Sequence, residues 1–157
     1  MENKNDHPGV YMPPPLIYVL IFLTAVFIQR VMPIDNSLFH YTLTKVIGVV
    51  LVLISLFFLV RSLRQFFQSK NTVVTIMPAT SLQTNGIYGI TRNPMYLGLA
   101  LVYLAISCFI GSWWNIILFP LLQLIIQEYV IKREEKYLQH RFGQEYLGYK
   151  SKVRRWL

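Results

Sequence analysis

The chain of 157 residues contains a single cysteine, Cys108, set in an apolar run. No internal disulfide and no cysteine-based zinc cluster is therefore available to it. Histidine is also scarce: His7, His40 and His140 are scattered along the sequence, and no metal site is expected from them. Acidic residues number 7 against 15 lysines and arginines, a net charge of +8. That excess lies between apolar spans rather than along a polar face with interleaved aromatics, so its expected partner is anionic lipid and not nucleic acid. A phosphate-cradling P-loop, a Gly-x-Gly-x-x-Gly turn, a His-Glu-x-x-His helix and a Gly-x-Ser-x-Gly elbow are all missing, which leaves general hydrolysis without visible machinery. Residues 1 to 15 include Pro13, Pro14 and Pro15 in succession and lack a basic start feeding a short apolar core with a small-residue cleavage site. No cleaved signal peptide is expected, and this polar arm is read as mobile near the membrane surface.

What the sequence has in quantity is apolar surface. Hydrophobic residues make up 54% and aromatics 15% of the chain, with a mean hydropathy of +0.43, more than a soluble domain of this size carries. Four spans are expected: Leu16 to Met32, Val46 to Val60 with flanks reaching Leu63, Met95 to Ile110, and Trp113 to Ile131. Gly111 and Ser112 separate the last two, predicting a tight helical hairpin, and Pro120 is expected to kink its second arm. Residues 72 to 83 are too short and interrupted to cross a bilayer; they read as a short extended piece or a surface loop. The fold class is thus all-α, a polytopic membrane protein of about four transmembrane helices in one integral domain, 1–157. Residues 1–71 supply the arm and two spans, and residues 72–157 the remaining core. Thirteen of the fifteen lysines and arginines fall on one side of these spans, with only Arg30 and Lys45 on the other. The positive-inside tendency then puts both termini and the central loop in the cytoplasm, and the expected location is the cell (inner) membrane.

The stretch Thr84 to Gly98 packs polar and turn-forming residues between two apolar regions. Gly86 and Gly89 permit unusual backbone and close ligand approach, while Pro94 suits the first turn of a helix that Asn93 could cap. Tyr88, Arg92 and Asn93 are delivered to that helix start, where free amides and the dipole favour an electron-rich ligand group. Because the hairpin returns the chain to its starting side, this stretch can meet residues 127 to 146. There Gln123, Gln127 and Glu134 are spaced to share a helical face, and Glu128, Glu134 and Glu135 are three of the seven acids. Carboxylates accept from amines or a ribose diol and aromatic faces attract cations. A sulfonium methyl donor has those features, whereas helix-to-helix glutamine bonding and surface ion pairing account for the same residues without a ligand.

The ordered set Asn85-Gly86-Ile87-Tyr88, Arg92-Asn93-Pro94-Met95-Tyr96-Leu97-Gly98, Glu134-Glu135, Phe142-Gly143, Tyr146, Tyr149 and Val153-Arg154-Arg155 resembles the isoprenylcysteine carboxyl methyltransferase and phospholipid methyltransferase group of integral membrane enzymes. The resemblance covers roughly residues 72 to 157. It implies S-adenosylmethionine as donor, bound on the cytoplasmic side, and a lipid or lipophilic small-molecule acceptor reaching it from the bilayer, with no metal. Carried over by position, Thr80, Ser81, Leu82, Gln83, Tyr88, Asn93, Pro94, Met95 and Tyr96 line the cofactor, and Glu134 or Glu135 holds its amino or ribose groups. Arg92 steadies the cofactor carboxylate or an acidic acceptor group, and Glu135 is the candidate base. Many relatives have histidine where this chain has Asn93. Isoprenylcysteine enzymes place a substrate-contacting arginine about one turn before the acidic pair, where this chain has Val130 and Ile131, which argues against a prenylated-cysteine carboxylate. Two further readings stay open: a non-catalytic small membrane protein such as a transporter subunit or scaffold, and a reductase of the membrane sterol type.

Overall fold

In a computed structural model, residues 8–68 and 81–157 are described, and they are helical with no strand among them. Helix α1 spans Pro14–Val31, α2 Thr42–Gln68, α3 Pro94–Ile110, α4 Trp113–Ile125 and α5 Lys132–Lys152, with a π-helical turn, Ile126–Ile131, joining the last two. The proline run that looked like part of a mobile arm instead starts α1, because the first turn has no use for the missing N–H. The chain just before it is also packed: Val10 is buried, the Tyr11 and Met12 amides donate to Tyr129 Oη at 3.3 Å, and Arg133 donates to the Gly9 carbonyl at 2.8 Å.

Three of the helical stretches are long and apolar enough to cross a membrane, and α3 is a shorter apolar helix. Leu23, Phe27, Leu53 and Val60 are exposed on the outer faces of α1 and α2, where hydrocarbon is the solvent that makes such exposure favourable. The apolar part of the last stretch ends at Ile131, and α5 lies beyond it.

Helix α3 is the buried centre, with α2 along one side and α1 and α4 on the other. Close approach on the α2 side comes from small residues: Gly48, Ser55 and Ser62, seven apart, are buried on α2, and Ser55 Oγ donates to the Gly98 carbonyl at 2.9 Å. Packing and such hydrogen bonds hold membrane helices together where burial from water contributes nothing. On the other side Tyr96, Ala100 and Tyr103 join Ile17, Tyr18, Leu122, Ile126 and Val130 in one apolar cluster.

The hairpin turns at Gly111, whose φ of +71° ends α3 in the left-handed conformation that glycine tolerates. At this end of the bundle Trp113 and Trp114 donate their indole N–H groups to the Asp35 and Met32 carbonyls, each at 2.8 Å, as suits tryptophan at a membrane interface. Helix α4 runs through Pro120 uninterrupted; the departure from regular geometry is the π turn that follows.

Asn115, in the first turn of α4, is fully buried with neither side-chain amide atom hydrogen-bonded, while its main-chain carbonyl accepts from Tyr103. An orphaned buried polar group costs roughly 1–3 kcal/mol. Asn115→Leu, which keeps the number and branching of side-chain heavy atoms and removes the polar ones, is therefore expected to raise the thermal midpoint in detergent; a midpoint lowered both in Asn115→Leu and in the smaller Asn115→Val would show that the amide is satisfied after all.

Candidate functional site

At the opposite end of the bundle from the tryptophans, the loop entering α3 is shaped by its neighbours. Gln65 on α2 donates to Gln83 Oε1 at 3.2 Å and to the Asn85 carbonyl at 2.9 Å. Gly86 has φ +59°, and a Cβ there would stand 2.8 Å from Gln65 Oε1, so both conformation and space call for glycine. The short 3₁₀ turn Gly86–Gly89 then buries Ile87 and Tyr88, with the Tyr88 ring 5.7 Å from that of Phe66. Burial pushes the Tyr88 phenol up from its ordinary range, and it stays neutral.

The C-terminal residues seal this loop. Helix α5 contains a break at Gly143, at φ +52° and ψ −122°, beyond which Tyr146 and Tyr149 are buried. Tyr149 Oη donates to the Tyr88 carbonyl at 2.6 Å. Past the end of the helix, the Arg92 amide donates to the Arg154 carbonyl at 3.0 Å. The Arg155 carbonyl accepts from Thr91 Oγ1 at 3.2 Å and from Asn93 Nδ2 at 2.9 Å. Asn93 therefore does not cap α3 with its side chain, as its position suggested; the C-terminus takes that amide instead.

Two carboxylates meet this assembly in different ways. Glu135 receives Arg155 through Nε to Oε1 at 2.9 Å and a terminal nitrogen to Oε2 at 2.8 Å, and Arg92 lies 3.3 Å from Oε1. Burial alone would raise its pKa, but the Arg155 hydrogen bonds and the charges of Arg92 and Arg155 outweigh burial and hold it below the usual carboxylate value. Glu134 accepts from Tyr96 Oη at 2.5 Å. Its carboxyl is pushed up to about 7, by burial first, with the neighbouring Glu135 charge adding and the Tyr96 hydrogen bond opposing. Arg92 is held from two sides, by Glu135 and by a 3.2 Å bond to Tyr146 Oη, yet its Nε is a buried donor with no acceptor.

Of the residues singled out in the sequence, Arg92, Tyr96, Glu134 and Glu135 are brought together directly, and Tyr88 and Asn93 join them through Tyr149 and Arg155. Pro94 is buried at the start of α3, and Met95 is half-buried beside it. Ser81 and Gln83 bond to each other at 2.9 Å and, through Gln83, to Gln65, with Leu82 half-buried between them; Thr80 lies outside the described residues. Gln123, Gln127 and Glu134 meet three separate partners: Tyr18 Oη, the Trp156 indole and Tyr96. Glu128 pairs with Lys132 at 2.7 Å on the surface. Val130 and Ile131 are buried in the core and offer no polar contact one turn before the acidic pair. No group of three or more potential metal ligands occurs among the described residues. Sequence reasoning passed over the roles of Arg155, Tyr146 and Gln65. Arg155 and Tyr146 stood in the resembling pattern without a partner, and only the break at Gly143 shows where they return.

A family model described as phospholipid methyltransferase matches residues 43–145. An uncharacterized protein of Haemophilus influenzae is 47% identical over 66 residues, 40% of this chain and 100% of that protein. No solved structure matches.

Proposed function

The chain belongs to the phospholipid methyltransferase family and is a membrane methyltransferase, and from that premise we propose that it transfers a methyl group from S-adenosylmethionine to a lipid or lipophilic acceptor dissolved in the bilayer. The observation that carries this reading is Arg92. A guanidinium fixed by Glu135 and Tyr146, with Nε buried and unpartnered, is a donor waiting for an anion beside the start of α3. The amino-acid carboxylate of S-adenosylmethionine fits that donor, and hydrogen bonds to charged groups are the stronger kind.

Under this reading Ser81, Leu82, Gln83, Tyr88, Asn93, Pro94, Met95 and Tyr96 form the wall of the cofactor site, with Glu134 and Glu135 at its acidic side, and Thr80 is assigned to it by the resemblance alone. Bound there, the cofactor supplies a methyl group on a positively charged sulfur. The residues around it position the acceptor and keep water away, and holding two reactants in line supplies several of the roughly 7–11 kcal/mol available from proximity. The family's description makes a phospholipid headgroup the first acceptor to try, and the apolar Val130 and Ile131 speak against the prenylcysteine alternative. We further propose that the whole chain works as one unit in the cell membrane, with the arginine-rich end in the cytoplasm, as its lysine and arginine distribution favours.

Calorimetry on detergent-purified protein tests the reading. Saturable S-adenosylmethionine binding is expected, and decarboxylated S-adenosylmethionine should bind about 10- to 100-fold more weakly, as loss of a charge-assisted contact implies. Arg92→Ala should remove that preference by weakening only the parent cofactor. Absence of saturable binding across several lipid conditions would favour the non-catalytic reading, and tight binding of a nicotinamide dinucleotide instead would favour the reductase.

A further inference from the structure

From Tyr146 to Leu157 the chain carries Lys150, Lys152, Arg154 and Arg155 and no acidic residue. The main chain and the side chains of this segment face different ways. Val153 has extended backbone, φ −117° and ψ 132°, which turns successive side chains to opposite sides. Val153 and Arg155 are half-buried against the molecule, and Arg154 is exposed between them. Lys150 and Lys152, on the last turn of α5, are exposed as well.

Two contacts fix the height of this segment. The Arg154 carbonyl accepts from the Arg92 amide at 3.0 Å, just ahead of Pro94, where the apolar helix α3 begins. The Trp156 indole reaches Gln127 Oε1 at 3.5 Å, one turn before the apolar part of the last long stretch ends at Ile131. The outward cations therefore stand at the level of the lipid headgroups, with Trp156 and the exposed Leu157 at the hydrocarbon edge. The backbone of the same residues closes the loop ahead of α3, since the Arg154 and Arg155 carbonyls hold Arg92, Thr91 and Asn93. Whatever binds the side chains thus acts directly on that seal.

We propose that Lys150, Lys152 and Arg154 form a docking surface for anionic phospholipid headgroups, and that their binding holds the C-terminal segment closed against the loop. Charge and height together select this occupant. At the headgroup level the anions within reach of three exposed cations are lipid phosphates, and the exposed Leu157 beside them suits a lipid better than a soluble anion or an acidic protein. The consequence for the site rests on the methyltransferase reading. Arg92 and Asn93 keep their places while the segment is closed, so cofactor affinity rises with the anionic lipid content of the membrane. The arginines at the end of α2 are a built-in control: Arg61 lies over the Phe57 ring of its own helix, 5.8 Å from the centroid, and attracts the same lipids without pulling on the seal.

Hydrogen exchange read by mass spectrometry, on the full chain in lipid nanodiscs without cofactor, tests the docking surface. Amides of residues 86–93 and 150–157 should exchange about 10- to 100-fold more slowly in discs of mixed phosphatidylcholine and phosphatidylglycerol than in phosphatidylcholine alone, the range that three cations at an anionic surface supply. Roughly 1 M salt should erase most of that difference, and inorganic phosphate added to phosphatidylcholine discs should not reproduce it. The triple variant Lys150→Gln, Lys152→Gln and Arg154→Gln should exchange alike in both discs. A control with Arg61→Gln, Arg64→Gln and Lys136→Gln, which removes the same charge elsewhere, should keep the difference. Equal exchange of the wild type in both discs, an effect matched by inorganic phosphate, a triple variant that still tells the discs apart, or a control that loses the difference as fully overturns the proposal. Calorimetry in the same discs should show S-adenosylmethionine binding more tightly where exchange is slower, and saturable binding of equal affinity in both overturns the coupling to the site. An exchange difference without any saturable cofactor binding supports the docking surface and overturns the methyltransferase reading instead.

Discussion

Arg155→Ala is expected to destabilise the folded protein by about 2–3 kcal/mol. Breaking one side of a buried ion pair typically costs roughly 3–5 kcal/mol because the remaining charge is left uncompensated. The lower figure applies here because the Arg155 side chain is 28% exposed and Glu135 keeps Arg92. A double-mutant cycle separates the pair from its surroundings: Arg155→Ala should cost much less when Glu135 is already glutamine, since the stranded charge is then absent. Additive losses, with no coupling between the two sites, would show that the bidentate contact contributes nothing. Arg155→Lys should recover only part of the loss, because an ammonium cannot reproduce the two parallel hydrogen bonds.

The same contact predicts a pH signature. Glu135 has a lowered pKa in the folded protein, against an ordinary value of 4.5. A group of that kind contributes stability that is complete above the ordinary value and is lost as pH falls through the lowered one. The wild type should accordingly lose thermal stability below about pH 4.5, and Arg155→Ala should show a flatter acid dependence. Glu134 has the opposite sign: with its pKa raised to about 7, its contribution is complete below pH 4.5 and declines as pH rises towards 7. Glu134→Gln should remove that second slope without changing the first.

Substitution of Gly98 is expected to have the other large effect, through packing alone. A Cβ there would stand 2.7 Å from both Cγ and Cδ2 of Leu59, nearer than real contacts permit. Gly98→Ala must therefore displace Leu59 or widen the α2 and α3 interface, at about 1–3 kcal/mol for overpacking, and Gly98→Val should cost more. The widening would also lengthen the bond from Ser55 to the Gly98 carbonyl. Since Tyr96 lies two residues earlier on α3, the S-adenosylmethionine binding proposed above should weaken together with the thermal midpoint. Leu59→Ala should partly rescue Gly98→Ala by restoring room. A Gly98→Ala protein as stable as wild type would mean that the two helices do not pack this closely.

Much of the architecture was legible because hydrocarbon is an undemanding solvent to read: it requires long apolar helices, and Leu16 to Met32, Val46 to Leu63 and Trp113 to Ile131 can satisfy it in no other way. Gly111 with Ser112 announced the hairpin for a similar local reason, since a left-handed turn falls to glycine. The pairing of Arg92 with Glu135 and of Tyr96 with Glu134 was half legible. The hairpin required both segments to return to one side, but which residue met which depended on the register that the π turn sets between α4 and α5. Spacing counted at 3.6 residues per turn put Gln127 and Glu134 on one face, and an underwound turn does not keep that count.

The residues alone thus determined an all-helical membrane protein, the end of the bundle that carries charge, and the short polar stretch ahead of α3 as its centre of interest. These follow from local rules of hydropathy, turn chemistry and charge. Only the tertiary structure decided that Arg155 comes back from the C-terminus to hold Glu135, that Asn93 gives its amide to that returning chain, and that Glu134 takes the Tyr96 hydroxyl. The first two depend on the break at Gly143, and the contact of Asn93 with Arg155 joins residues 62 apart; no periodicity within a single helix encodes a meeting between segments so far apart.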